Sequence, residues 1–169
     1  KVANSKESNL QIISLYGKKD QPSAQDLNNV DVIVFDIQDV GVRYYTYISS
    51  LQKLMEAATN NHKPLIILDR PNPNASYIDG PILEAKYKSF VGMQAIPIVY
   101  GMTIGEYAKM LVGEKWLDLM PKSKASQLKL TIIPMLNYTH ASKYQIDIRP
   151  SPNLPNMAAI YWYPSLGWF

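Results

Sequence analysis

Cysteine is absent from the 169-residue sequence, which excludes disulfide bonds, thiol catalysis and cysteine-ligated zinc but leaves reducing and oxidising compartments equally open. Histidine is scarce. His62 and His140 are far apart and lack the helical spacing of paired metal ligands, so no metal centre built on histidine is expected. No apolar run approaches the roughly 18 residues of a membrane span. No secretory signal is visible, and the first residue is Lys1, so the chain reads as a processed protein or a fragment. A basic stripe is also lacking: the net charge is +3 with lysine and arginine scattered, and nucleic acid is not an expected partner. Neither Gly-x-Gly-x-x-Gly nor a Walker loop follows an apolar strand, which weighs against a nucleotide-binding α/β protein.

What is present describes one globular α/β domain over residues 1–169. With 47% hydrophobic and 18% charged residues, a chain of this size buries on the order of two-thirds of its unfolded surface. Val32, Ile33, Val34 and Phe35 form an almost unbroken β-branched run, which predicts a strand buried on both faces of a parallel sheet. That run gives way to Asp36, Gln38, Asp39, Gly41 and Arg43. Ligands bind at the carboxyl ends of strands in open α/β sheets, because side chains and helix N-termini converge there. The site is therefore expected here.

The helical spacing of Ile48, Leu51, Leu54, Met55 and Ala58 predicts a helix over residues 44–60. Leu65 to Leu68 is a second apolar run ending in charge, at Asp69-Arg70-Pro71-Asn72-Pro73. Strand, helix and strand in this order form a parallel, right-handed unit, which sets the two polar clusters side by side on one sheet edge. Further strands are expected at residues 10–15, 96–99 and 128–134. Ser23 with Asp26, and Thr103 with Glu106, have capping-box spacing for helices near 23–27 and 104–112. Pro150, Pro152 and Pro155 make residues 137–155 irregular. The apolar, aromatic end, residues 163–169, reads as a surface for a continuation or an oligomeric partner.

Asp36-Ile-Gln-Asp-Val-Gly-Val-Arg-Tyr-Tyr-Thr-Tyr47, Asp69-Arg-Pro-Asn-Pro73, Gly80-Pro81, Gly101-Met-Thr-Ile-Gly-Glu106 and Pro150-Ser-Pro-Asn153 occur in the same order in the NamZ-like exo-β-N-acetylmuramidases, a family first catalogued as a domain of unknown function. The chain resembles that family over essentially its whole length. The resemblance implies a Rossmann-like, mostly parallel sheet with flanking helices, here a truncated middle part of the catalytic N-terminal domain, without the smaller C-terminal domain. It implies a periplasmic or secreted glycosidase that releases terminal N-acetylmuramic acid from the non-reducing end of peptidoglycan fragments, with no cofactor. The family's favoured catalytic acid lies on a Gly-Pro-Glu-His-Gly segment that this sequence does not contain, so binding of a saccharide without hydrolysis is the alternative.

Glycoside hydrolysis uses two carboxyl groups, and Asp36, Asp39 and Asp69 are the catalytic candidates. Asp39 suits an Asx-turn into Gly41 equally well, and Glu106 reads as a capping residue. Paired Asp36 and Asp39 would also suit Mg²⁺, a reading ranked below the sugar ones. Candidate substrate-binding residues are Gln38, Arg43, Tyr45, Tyr47, Arg70, Asn72, Tyr100, Thr103 and Asn153. Arg43 suits either a structural ion pair with Asp36 or Asp69, or the lactyl carboxylate of muramic acid. Asn72 and Asn153 suit sugar hydroxyls or backbone, and the tyrosines suit a pyranose face or the core.

Overall fold

The computed structural model describes residues 12–15, 17, 19–121 and 123–166. In chain order the elements are α1 (Ala24–Leu27), β1 (Ile33–Phe35), α2 (Tyr47–Asn60), β2 (Leu65–Leu68), α3 (Ile104–Gly113), β3 (Leu130–Ile133) and α4 (Met157–Leu166). The three strands form one parallel sheet in the order β1-β2-β3. The expected strand-helix-strand unit is present, with Ile33 opposite Leu65 and Phe35 opposite Ile67. No described helix is long and apolar enough to cross a membrane.

The core lies on one face of this sheet. Ile33, Phe35, Leu65 and Ile67 pack with Ile48, Leu51 and Met55 of α2 and with Ile104, Tyr107 and Leu111 of α3. Truncating one such side chain to alanine costs about 2–5 kcal/mol, by lost transfer energy and the cavity left behind. The opposite face is more open: Val34 is 53% exposed among the described residues. The expectation that β1 is buried on both faces is therefore corrected to one face. A second, smaller cluster joins Val40, Val42, Ile98, Val99, Leu154 and Ile160, and it supports the loop that follows β1.

Both capping boxes form, at Ser23–Asp26 and Thr103–Glu106. Three expectations are corrected. Residues 12–15 form no strand, while residues 10 and 11, like 167–169 of the apolar end, lie outside the described residues. Helix α2 starts at Tyr47 rather than 44, because the backbone still turns at residue 45, whose N–H donates to Val42 O at 2.8 Å. Residues 96–99 are not a strand either: Pro97 lacks a donor, Ile98 O accepts from Arg43 N at 2.8 Å, and Val99 exchanges both backbone bonds with Asp79. Those groups are spent on isolated bridges to neighbouring loops, to Val42 and Asp79, rather than on a ladder with the sheet. Helix α4 was not foreseen, since Pro164 biases the residue before it towards extended backbone.

Candidate active site

The parallel register brings the carboxyl ends of β1 and β2 together, and with them Asp36 and Arg70. Arg70 Nε donates to Asp36 Oδ1 at 2.5 Å, and the two side chains are 42% and 40% exposed, Asp36 the more so. Gln38 Nε2 donates to the carbonyls of Asp39 and Pro71, each at 2.7 Å, and so ties the two strand-end loops together. Asp36, Gln38, Tyr47 and Arg70 line a cleft of about 390 Å³ whose facing wall includes Tyr144, Asp147, Arg149 and Pro150, with isoleucines on both sides. Tyr45 anchors that second wall. Its hydroxyl donates to Pro150 O at 3.0 Å, and its ring meets Tyr47 edge-on at 4.8 Å between centroids.

Asp39 points elsewhere. It is 4% exposed, and its Oδ2 accepts from Gly41 N at 2.7 Å and from the Tyr100 hydroxyl. The bond to Gly41 is the Asx-turn geometry that competed with a catalytic role in the sequence. Its Oδ1 is buried without a hydrogen-bond partner among the described residues. Burial dominates, and although the bonds from Tyr100 and Gly41 pull the other way, the carboxyl pKa is pushed up to about 6. Burial and the Asp39 charge together raise the pKa of the Tyr100 hydroxyl well above its ordinary value.

Asp69 is used inside the fold. Its Oδ2 accepts from Thr103 Oγ1 at 2.7 Å and its Oδ1 from Gly105 N at 2.8 Å, so the carboxylate sits on the N-terminus of α3, where orphan N–H groups and the helix dipole favour negative charge. Asn72 is buried at a crossing of loops, with Nδ2 donating to Met102 O and Oδ1 accepting from Asn74 N, both at 2.8 Å. Gly41 has φ of +76°, and a Cβ there would lie 2.0 Å from Asn72 Oδ1. Only glycine allows that approach. His140 Nε2 lies 2.9 Å from Glu106 Oε2, beside a hollow of about 250 Å³ that Asp69 and Thr103 also line.

Of the residues singled out from sequence, Asp36, Gln38, Tyr47 and Arg70 come together in the cleft and Tyr45 holds its wall. Asp39, Arg43, Asn72, Tyr100 and Thr103 are buried in the scaffold. The ion pair expected for Arg43 with Asp36 or Asp69 does not form: Arg43 Nη1 donates to Pro81 O at 2.8 Å and to Ile96 O. Asn153 is exposed and does not line the cleft. Asp36 and Asp39 bind different partners, so the paired-carboxylate reading loses its geometry. Tyr144, Asp147 and Arg149 were missed, since they sit on an irregular segment with no periodicity; the motif around Pro150 was the one available signal.

A parallel sheet with its helices and a polar cleft at the strand ends defines a Rossmann-like α/β domain, the architecture that places ligands at its strand ends. The chain belongs to the family described as exo-β-N-acetylmuramidase NamZ, N-terminal, whose model matches residues 1–158. It is 43% identical over 162 residues to the peptidoglycan β-N-acetylmuramidase NamZ of Bacillus subtilis (strain 168), covering 92% of this chain and 37% of that protein. Among solved structures it is similar to two DUF1343 family proteins from Bacteroides fragilis NCTC 9343. One is 51% identical with a TM-score of 0.81, covering 88% of this chain and 40% of that one. The other is 39% identical with a TM-score of 0.87, covering 98% and 42%. The chain thus spans about two-fifths of the length of these relatives.

Proposed function

We propose that this chain carries the sugar-binding cleft of a peptidoglycan glycosidase that releases terminal N-acetylmuramic acid from cell-wall glycan fragments, acting in the periplasm or outside the cell. The observation that carries the reading is the cleft itself. In a chain 43% identical to a peptidoglycan β-N-acetylmuramidase, the cleft gathers an Asp–Arg pair, an amide and two tyrosines around about 390 Å³, a volume suited to a sugar ring. Tyr47 and Tyr144 offer flat apolar faces to a pyranose. Asp36 receives Arg70 on Oδ1 and keeps Oδ2 for a sugar hydroxyl.

In this reading Asp39 and Asp69 are not the proton donor. A general acid must come within hydrogen-bond reach of the leaving oxygen, whereas Asp39 is sealed under Tyr100 and Asp69 is held by α3. These two carboxylates are spent on the scaffold, on Gly41 and Tyr100 and on Thr103 and Gly105, and the acid is a separate group. The same observation favours a second reading, saccharide binding without hydrolysis, for the chain by itself.

A chromogenic β-N-acetylmuraminide, with the matching N-acetylglucosaminide as control, tests the proposal on the chain alone and on a version completed with a relative's flanking segments. Cleavage of the muraminide by the completed version alone supports the hydrolase reading with an acid supplied from outside this chain. Cleavage of neither sugar, with retained binding of N-acetylmuramic acid, supports the binding module instead.

A further inference from the structure

We propose that Arg149, together with the terminal nitrogens of Arg70, selects sugars that bear a carboxylate over the same sugars without one. The inference deepens the glycosidase reading and rests on it for the identity of the sugar. In the sequence Arg43 suited this task and a structural ion pair equally, but that guanidinium is 8% exposed and committed to the carbonyls of Pro81 and Ile96. Two other arginines line the cleft. Arg70 engages Asp36 through Nε, and its two Nη nitrogens form no hydrogen bond among the described residues. Arg149 is exposed on the facing segment and forms neither a hydrogen bond nor an ion pair among the described residues.

Asp36 balances Arg70, and Asp147 is the remaining charged group of the cleft. Asp147 is two residues from Arg149 and is not paired to it, so the Arg149 fork stays open. In this proposal Asp147 accepts from ring hydroxyls. A planar guanidinium matches a carboxylate with two parallel N–H···O bonds, a geometry that neither a hydroxyl nor an ester reproduces. The segment bearing Arg149 is also held from behind. Tyr45 bonds Pro150 O at 3.0 Å, and Ile146 N donates to Met157 Sδ at 3.4 Å. Arg149 therefore projects from an anchored wall into a cleft flanked by Tyr47 and Tyr144.

Isothermal titration of the purified protein with N-acetylmuramic acid, its methyl ester and N-acetylglucosamine tests the assignment. The acid is expected to bind about tenfold to a hundredfold more tightly than the ester, the range of a charge-assisted hydrogen-bond pair. In R149Q the acid should lose most of that advantage and keep only the part that Arg70 supplies, with the ester and N-acetylglucosamine unchanged. R149K, which restores the charge without the fork, should recover only part of the difference. Equal binding of acid and ester by the wild-type protein would overturn the proposal. So would R149Q that keeps the discrimination, or that weakens all three ligands alike. Discrimination by this chain with no hydrolysis of the chromogenic muraminide by the version completed with a relative's flanking segments leaves this inference standing and removes the hydrolase reading; hydrolysis by that version without discrimination does the reverse.

Discussion

Replacing Asp39 by asparagine should make the protein more stable at neutral pH than at acid pH, relative to wild type. The folded carboxyl titrates near 6 against an ordinary value of 3.8, so the native state holds its proton more tightly than the unfolded chain does. The wild-type contribution is therefore intact below 3.8 and is lost as pH climbs to 6. Above that, the buried charge costs about 3 kcal/mol, at roughly 1.4 kcal/mol for each pH unit that separates the folded from the unfolded titration. In D39N the amide oxygen still accepts from Gly41 and Tyr100. The amide NH₂ replaces Oδ1, which has no partner among the described residues, and its lost hydration costs about 1–3 kcal/mol at every pH. That cost cancels when two pH values are compared. Urea unfolding of both proteins at pH 4 and pH 8 should show the mutant gaining about 2 kcal/mol on the wild type between them. Parallel stability curves for the two proteins would refute the reasoning, because they would mean that Asp39 is not a desolvated charge.

G41A should be among the most damaging single-methyl changes in the chain: positive φ and a Cβ 2.0 Å from Asn72 Oδ1 predict a loss of more than about 2 kcal/mol in thermal or urea unfolding. T103A removes the cap of α3 and the donor to Asp69, and a loss of about 1–2 kcal/mol is expected by the same assay. R70A should barely change stability, within about 1 kcal/mol, because its ion pair is largely exposed. It should nevertheless weaken N-acetylmuramic acid binding at least tenfold in titration calorimetry, and a large melting-temperature drop with intact binding would reverse the assignment.

The elements that local rules control were legible in the sequence. Val32 to Phe35 and Leu65 to Leu68 announced adjacent parallel strands, and Thr103 with Glu106 announced the start of α3, because periodicity and capping are properties of neighbouring residues. Placing the cleft at Asp36 and Arg70 followed from the strand-end rule. The direction of each side chain did not follow. Asp36 and Asp39 are equally acidic in the sequence, yet one faces the cleft and the other Tyr100, whose partnership spans 61 residues. Arg43 was misjudged for the same reason, since the carbonyls that absorb it belong to Pro81 and Ile96. The second wall was hardest to foresee, as residues 144–150 carry no pattern and are positioned by tertiary contacts alone.

The bonds from Tyr44 and Tyr45 have a consequence for the order in which the molecule assembles. Their hydroxyls reach the carbonyls of Tyr163, Pro164 and Pro150, across 119, 120 and 105 residues. During synthesis the β1-α2-β2 unit has its own partners as soon as it leaves the ribosome. The cleft does not: half of its lining and the carbonyls that brace it are translated long after Arg70. Closing such long loops is slow and comes late. Under the proposed function, sugar binding would report completed folding, and a nascent chain halted before Pro150 should hold much of its core while lacking the second wall of the cleft.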